Sequence, residues 1–207
     1  FTINALVDVL RRPIVGPLLH VRFFYGLGFA TFQGIFALYT QAIGLSAQTT
    51  GYILGYVGLI SVIVQGVLIG RLTKRFRENW LIITGLWVMA ASLLAWAFTA
   101  KLWVLLVVIL PLALAGGVLN TVLQSAISKS VHRDEVGGIL GIAGSLEALT
   151  RVIAPSVGGL LLQSLGIWAP GVFSAVIMGW AVTFAYRRII LPSIRERRLA
   201  EAEATYA

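Results

Sequence analysis

The stretch LWVLLVVILPLALAGGVLNTVLQSA, residues 102–126, decides the fold. It carries no charged side chain and exceeds the roughly 20 apolar residues that a helix needs to cross a hydrocarbon layer about 30 Å thick. Working outward from it, five more predominantly apolar runs of 20 or more residues appear: Val21 to Ile43, Thr49 to Gly70, Trp80 to Thr99, Gly138 to Gln163 and Trp168 to Ile189. Short turns separate them, so consecutive helices are expected to pack as antiparallel neighbours. The composition of the whole chain agrees with this run. Of 207 residues, 58% are hydrophobic and only 12% are charged, about half the charged share of a soluble domain. One water-soluble core of this length cannot hide that much apolar surface. The expected fold is all-α: a polytopic membrane protein with a six-helix transmembrane domain over residues 20–190. Residues 1–19 form a linker or interfacial segment, and residues 191–207 a tail.

The charges orient the bundle. All but two of the 16 basic residues fall in the N-terminal segment, in the loops after the second and fourth spans, or in the tail. Arg11, Arg12 and Arg22 belong to the first group, and Arg71, Lys74, Arg75 and Arg77 to the second. Lys129 and Arg133 follow, then Arg187, Arg188, Arg195, Arg197 and Arg198. An excess of Lys and Arg marks cytoplasmic loops, so both termini are expected in the cytoplasm and the protein in the cell membrane. The net charge of +8 is then a topology signal, and no nucleic-acid partner is expected. Trp96, Trp103 and Trp168 stand near the opposite ends of their spans, where an indole can face lipid and headgroup together. The chain opens on Phe1 rather than Met, which suggests part of a longer polypeptide. Phe1, Ile3, Leu6, Val7 and Leu10 suit an interfacial amphipathic helix.

An internal echo divides the spans. Ile53-Leu54-Gly55-Tyr56-Val57-Gly58 in the second matches Ile139-Leu140-Gly141-Ile142-Ala143-Gly144 in the fifth, 86 residues later. These two spans run in opposite directions, as two inverted three-helix repeats require. Small residues at four-residue spacing (Gly51 and Gly55, Gly66 and Gly70, Gly137 and Gly141) let helix backbones approach closely in lipid. They predict tight packing of the second and fifth spans.

Chemistry concentrates in a few intramembrane polar residues. Glu147 and Arg151 lie about 6 Å apart along the fifth span, and ionised groups at that depth must face a partner or a wet cavity. They are candidates for coupling or for an interface contact; an acid four residues before a base can equally form a purely structural pair. Asn120 and Gln124 share a face of the fourth span. Gln33 lies in the first among Phe29, Phe32 and Phe36, and Gln65 lies in the second. Amides among aromatic rings suit a cavity for an amphipathic organic molecule, so Gln33, Phe36, Gln65, Asn120 and Gln124 are the substrate-cavity candidates; interhelical hydrogen bonding is the alternative. Pro155, with Gly158 and Gly159, predicts a bend or hinge in the fifth span, or equally a passive kink that improves packing. With no cysteine and only two histidines, His20 and His132, neither a metal site nor a cofactor is expected, and no enzyme nucleophile–base pair lies at one depth.

Gly70-Arg71-Leu72-Thr73-Lys74-Arg75-Phe76-Arg77 resembles the Gly-x-Leu-x-Asp-Arg-x-Gly-Arg signature of the major facilitator superfamily (MFS), with Lys74 at the acidic position and Arg77 at the glycine. The stretch Gly144 to Arg151, followed by Pro155 and Gly158-Gly159, is similar to that family's eleventh helix. The chain as a whole resembles the carboxy-terminal six-helix half of such a carrier. The resemblance implies secondary active transport of a small organic molecule by alternating access, with efflux of a drug or metabolite coupled to protons. It also implies partners: the lipid bilayer, the amino-terminal half, the small-molecule substrate and protons. Gly70, Arg71, Lys74, Arg75 and Arg77 would form a cytoplasmic gate, and half a carrier would not transport alone. The competing expectation is a membrane-embedded substrate-binding subunit of a multi-protein importer.

Overall fold

The computed structural model describes residues 3–99 and 101–193; the distal tail, with Arg195, Arg197 and Arg198, lies outside the described residues. A short helix α1 (Ile3–Arg11) precedes six long ones: α2 (Val15–Ala42), α3 (Ala47–Arg75), α4 (Glu78–Ala97), α5 (Leu102–Lys129), α6 (Val136–Leu165) and α7 (Ala169–Ser193). All six are long and apolar enough to cross a membrane. Three of the boundaries have a local cause. The Ser46 hydroxyl accepts from the Thr49 amide at 3.1 Å and caps α3, satisfying one of the orphan N–H groups at a helix start. Gly44 and Gly166 take φ of +84° and +104° in the turns after α2 and α6, a conformation that a Cβ disfavours. One π-helical turn, Val64–Leu68, interrupts α3, and another, Tyr186–Ile190, interrupts α7.

The packing repeats about a pseudo-two-fold axis. Helix α2 lies along α6 and α7, and α5 lies correspondingly along α3 and α4, while α4 and α7 meet between the two sets. Exchanging α2-α3-α4 with α5-α6-α7 maps this pattern onto itself, which is the arrangement of inverted repeats. Lipid gives apolar helices no hydrophobic reason to associate, so close approach of small residues carries the contact. A Cβ on Gly158 of α6 would stand 2.5 Å from Ile35 Cγ1. One on Gly34 of α2 would meet Pro155 Cγ at 2.9 Å, and one on Gly171 of α7 would meet Ala97 Cβ at 2.7 Å.

Three expectations need correction. Trp96 is fully buried, packed edge-on to Phe32 at 4.9 Å and beside Tyr39 at 4.8 Å, so it belongs to the core; Trp103 and Trp168 are exposed as expected. The small-residue faces of α3 and α6 do not pack against any of the described residues. A Cβ added to Gly51, Gly55, Gly66, Gly70, Gly137 or Gly141 would meet no described atom within 4 Å, and only 22% of the apolar window of each helix is buried, against 61% for α4. The inverted repeat copies the glycine face, but the fold turns it outward in both copies. Helix α6 remains helical across Pro155; Pro155 and Gly158 seat α2, while Gly159 faces open space. Finally, α2 begins at Val15 rather than Val21, which changes the position of Arg22.

Tyr39 ties α2 to the end of α4, its hydroxyl donating to the Trp96 carbonyl at 3.0 Å and also to the Thr99 carbonyl. Arg12, after α1, donates from Nη1 and Nη2 to the two Glu135 oxygens at 2.8 and 3.0 Å. That side-chain hydrogen bond holds the Glu135 carboxyl below the ordinary carboxylate range.

Candidate functional site

A cleft of about 230 Å³, with polar and charged side chains among its lining, opens between α2, α3, α5 and α6. Helix α2 contributes the stripe Arg22, Tyr25, Phe29 and Gln33, residues three to four apart that share one helix face. Helix α3 contributes Ser61 and Gln65, α5 contributes Asn120 beside Gly116 and Gly117, and α6 contributes Glu147, Thr150 and Arg151. Local structure aims these groups. The π-helical turn of α3 starts at Val64, which is fully buried; a Cβ on Gly117 would stand 3.0 Å from its Cγ1. The extra residue in that turn lets Val64 lock onto α5 while adjacent Gln65 faces the cleft, a use of π-bulges common at functional sites. The Tyr25 hydroxyl donates to the Gly116 carbonyl at 3.0 Å. Its ring stacks on Phe29 with centroids 5.8 Å apart and planes 11° from parallel, giving the cleft a flat apolar wall.

The charged centre is a triad. Arg22 Nη2 donates to Glu147 Oε2 at 2.8 Å, and Arg151 Nη2 donates to Glu147 Oε1 at 2.7 Å. One carboxylate therefore bridges two guanidiniums, one from α2 and one a helical turn along α6. Their surroundings differ sharply. The Arg22 side chain is 8% exposed and that of Arg151 is 70% exposed, with Glu147 between them at 33%. Arg22 Nη2 also donates to Gln124 Oε1 at 3.3 Å.

The candidates named from sequence divide as follows. Gln33, Gln65, Asn120, Glu147 and Arg151 meet in the cleft. Gln124 stands behind it and reaches it through Arg22. Phe36 does not line it: the ring is fully buried and tilted against Phe32 at 5.1 Å, which in turn abuts Trp96, so Phe36 belongs to an aromatic core rather than to the cleft. The gate residues Gly70, Arg71, Lys74, Arg75 and Arg77 are exposed at the end of α3 and the following turn, away from the cleft. Charge counting missed Arg22 by assigning it to a loop. The available signal was Pro17 among Val15, Leu18 and Leu19, since proline in the first turn marks a helix start and places Arg22 two turns inside.

A lipid-embedded six-helix bundle with a charged cleft between its inverted repeats has the build of a membrane transport protein. Residues 18–205 match the family profile of the Major Facilitator Superfamily, and the chain belongs to that family of integral membrane transporters. Among its relatives is Solute carrier family 22 member 18 of Rattus norvegicus, 30% identical over 168 residues, which cover 81% of this chain and 41% of that protein. The class C Tetracycline resistance protein of Escherichia coli is 28% identical over 161 residues, covering 77% and 39%. The crystal structure of the POT family transporter PepTSo superposes with a TM-score of 0.74 at 13% identity, over 86% of this chain and 38% of that one. That likeness is one of fold. The chain spans about two fifths of the length of the relatives it matches.

Proposed function

We propose that these six helices are the carboxy-terminal half of a secondary active transporter that moves a small organic molecule by alternating access. The observation that carries this reading is the coincidence of two features on the same pair of helices. Helices α3 and α6 both supply cleft residues and both present glycine faces on which none of the described residues packs. Such faces admit close helix approach in lipid, and an amino-terminal half seated there would close the cleft from the other side. Rocking of one half against the other then exposes the cleft alternately. Gln33, Gln65 and Asn120 orient the substrate. The basic end, with exposed Arg71, Lys74, Arg75 and Arg77, lies in the cytoplasm and gates that side, with both termini there and the bundle in the cell membrane. Export is the favoured direction, in keeping with the relative named for tetracycline resistance. Glu147, the sole carboxylate among the described cleft residues, is the group through which protons would couple to transport.

The test uses the full-length carrier in proteoliposomes under an imposed pH gradient, with labelled tetracycline among a panel of small organic probes. Gradient-driven flux that disappears in Asn120→Trp, which fills the cleft, supports the proposal. Absence of flux for the whole panel, or flux untouched by that substitution, contradicts it. For the coupling role, Glu147→Gln should remove the dependence on the pH gradient.

A further inference from the structure

Charge in the cleft is unbalanced. Arg22 and Arg151 face a single carboxylate, Glu147, and the other polar lining groups named above are neutral. The imbalance sits on the better buried cation. Arg22 Nε and Nη1 are buried without a hydrogen-bond partner among the described residues, on a side chain only 8% exposed. A guanidinium offers five N–H donors in a rigid fork, and here both described bonds are made by Nη2. Leaving such donors buried and unpaired is costly. A positively charged, donor-rich wall beside the Tyr25–Phe29 stack selects a particular chemistry.

We propose that the transported molecule is an organic anion, an aromatic carboxylate in chemical class, whose carboxylate is held by Arg22 and Arg151 while its ring lies on Tyr25 and Phe29. Glu147 is the resident anion of this site. A guanidinium edge binds a carboxylate through two parallel N–H groups, and each Arg22 edge that pairs two nitrogens includes Nη2. The incoming carboxylate therefore competes with Glu147 for Arg22, and Glu147 sets affinity by occupying the site when substrate is absent. This inference rests on reading the cleft as the transport site and adds the sign of the substrate's charge.

Three probes of one shape and different charge test it: benzoate, benzamide and benzamidinium, titrated calorimetrically into the purified full-length carrier in nanodiscs. Benzoate should bind at least tenfold more tightly than benzamide, and benzamidinium least. Arg22→Gln should abolish the benzoate preference, and Arg22→Lys, which keeps the charge but loses the fork, should retain only part of it. Glu147→Gln should tighten benzoate several-fold. Should Arg22→Gln fail to fold, Arg151→Gln, at an exposed side chain, must still weaken benzoate selectively. A preference for benzamidinium, a benzoate preference that survives Arg22→Gln, or no binding of any probe overturns the inference. The two readings fail separately. Gradient-driven flux of a cation leaves the carrier role intact and removes the anion, whereas Arg22-dependent benzoate binding without any flux keeps the anion site and removes the carrier role.

Discussion

Removing either end of the Arg22–Glu147 pair should have unequal effects on stability. Glu147 touches two guanidiniums, at 2.8 and 2.7 Å. Substituting Arg22→Gln leaves it paired with Arg151, so the loss is one charge-assisted bond and the attraction behind it, about 1–2 kcal/mol. Substituting Glu147→Gln leaves the Arg22 charge, 8% exposed, without a counter-ion and with only neutral amide oxygens, Gln124 Oε1 and that of the new side chain, within reach. Stranding one partner of a buried pair costs about 3–5 kcal/mol; because the Glu147 side chain is 33% exposed, the lower end, about 3 kcal/mol, applies after solvent screening. The double variant Arg22→Gln/Glu147→Gln removes both charges and should return to about the Arg22→Gln value. The coupling energy is then about 3 kcal/mol in favour of the double variant. Thermal and denaturant unfolding of the full-length protein in one detergent, with the single and double variants side by side, gives the cycle. Arg22→Gln less stable than Glu147→Gln, or strictly additive losses, would refute the reasoning.

Three further outcomes follow from the packing. Gly158→Ala pushes a methyl to 2.5 Å from Ile35 Cγ1 and should cost about 1–3 kcal/mol in unfolding experiments, whereas Gly141→Leu, open within this chain, should spare folding of this half and abolish flux by blocking the other half. Tyr39→Phe strands the Thr99 carbonyl and removes one of the two bonds on the Trp96 carbonyl, which keeps the Thr99 N–H, and should lower stability by about 1–3 kcal/mol, with faster amide exchange at the end of α4. The Arg12–Glu135 clip should respond to acid. Its carboxyl lies below the ordinary range, so its stabilisation is fully present above the unfolded-state value of about 4 and fades as pH falls through the lowered folded-state value. Proteolysis between α1 and α2 should rise over that window in the parent and be pH-independent in Glu135→Gln.

Sequence made the bundle legible because lipid imposes a length and a composition on every crossing, and because basic loops mark one end. Gln33, Gln65, Asn120, Glu147 and Arg151 were legible for a related reason: polar side chains at membrane depth need a wet or paired destination. Arg22 was not, because an arginine at the margin of an apolar run satisfies the loop-charge pattern equally well; only the start of α2 at Val15 distinguishes the two. Phe36 and Trp96 show the same limit. Both occupy plausible faces by period, but where helices converge decides whether a ring faces substrate, lipid or another ring. The glycine motifs signal close approach without saying whether the approaching helix belongs to this chain, and here the described residues leave those faces uncovered.

Alternating exposure of the cleft is the most direct test of the account. This chain has no cysteine, so Asn120→Cys, in a full-length carrier freed of any other thiols, can be challenged with a membrane-impermeant maleimide from each side of the membrane in turn. The account predicts labelling from both sides, with the balance shifted by an imposed gradient. Labelling from one side only under every condition would contradict it.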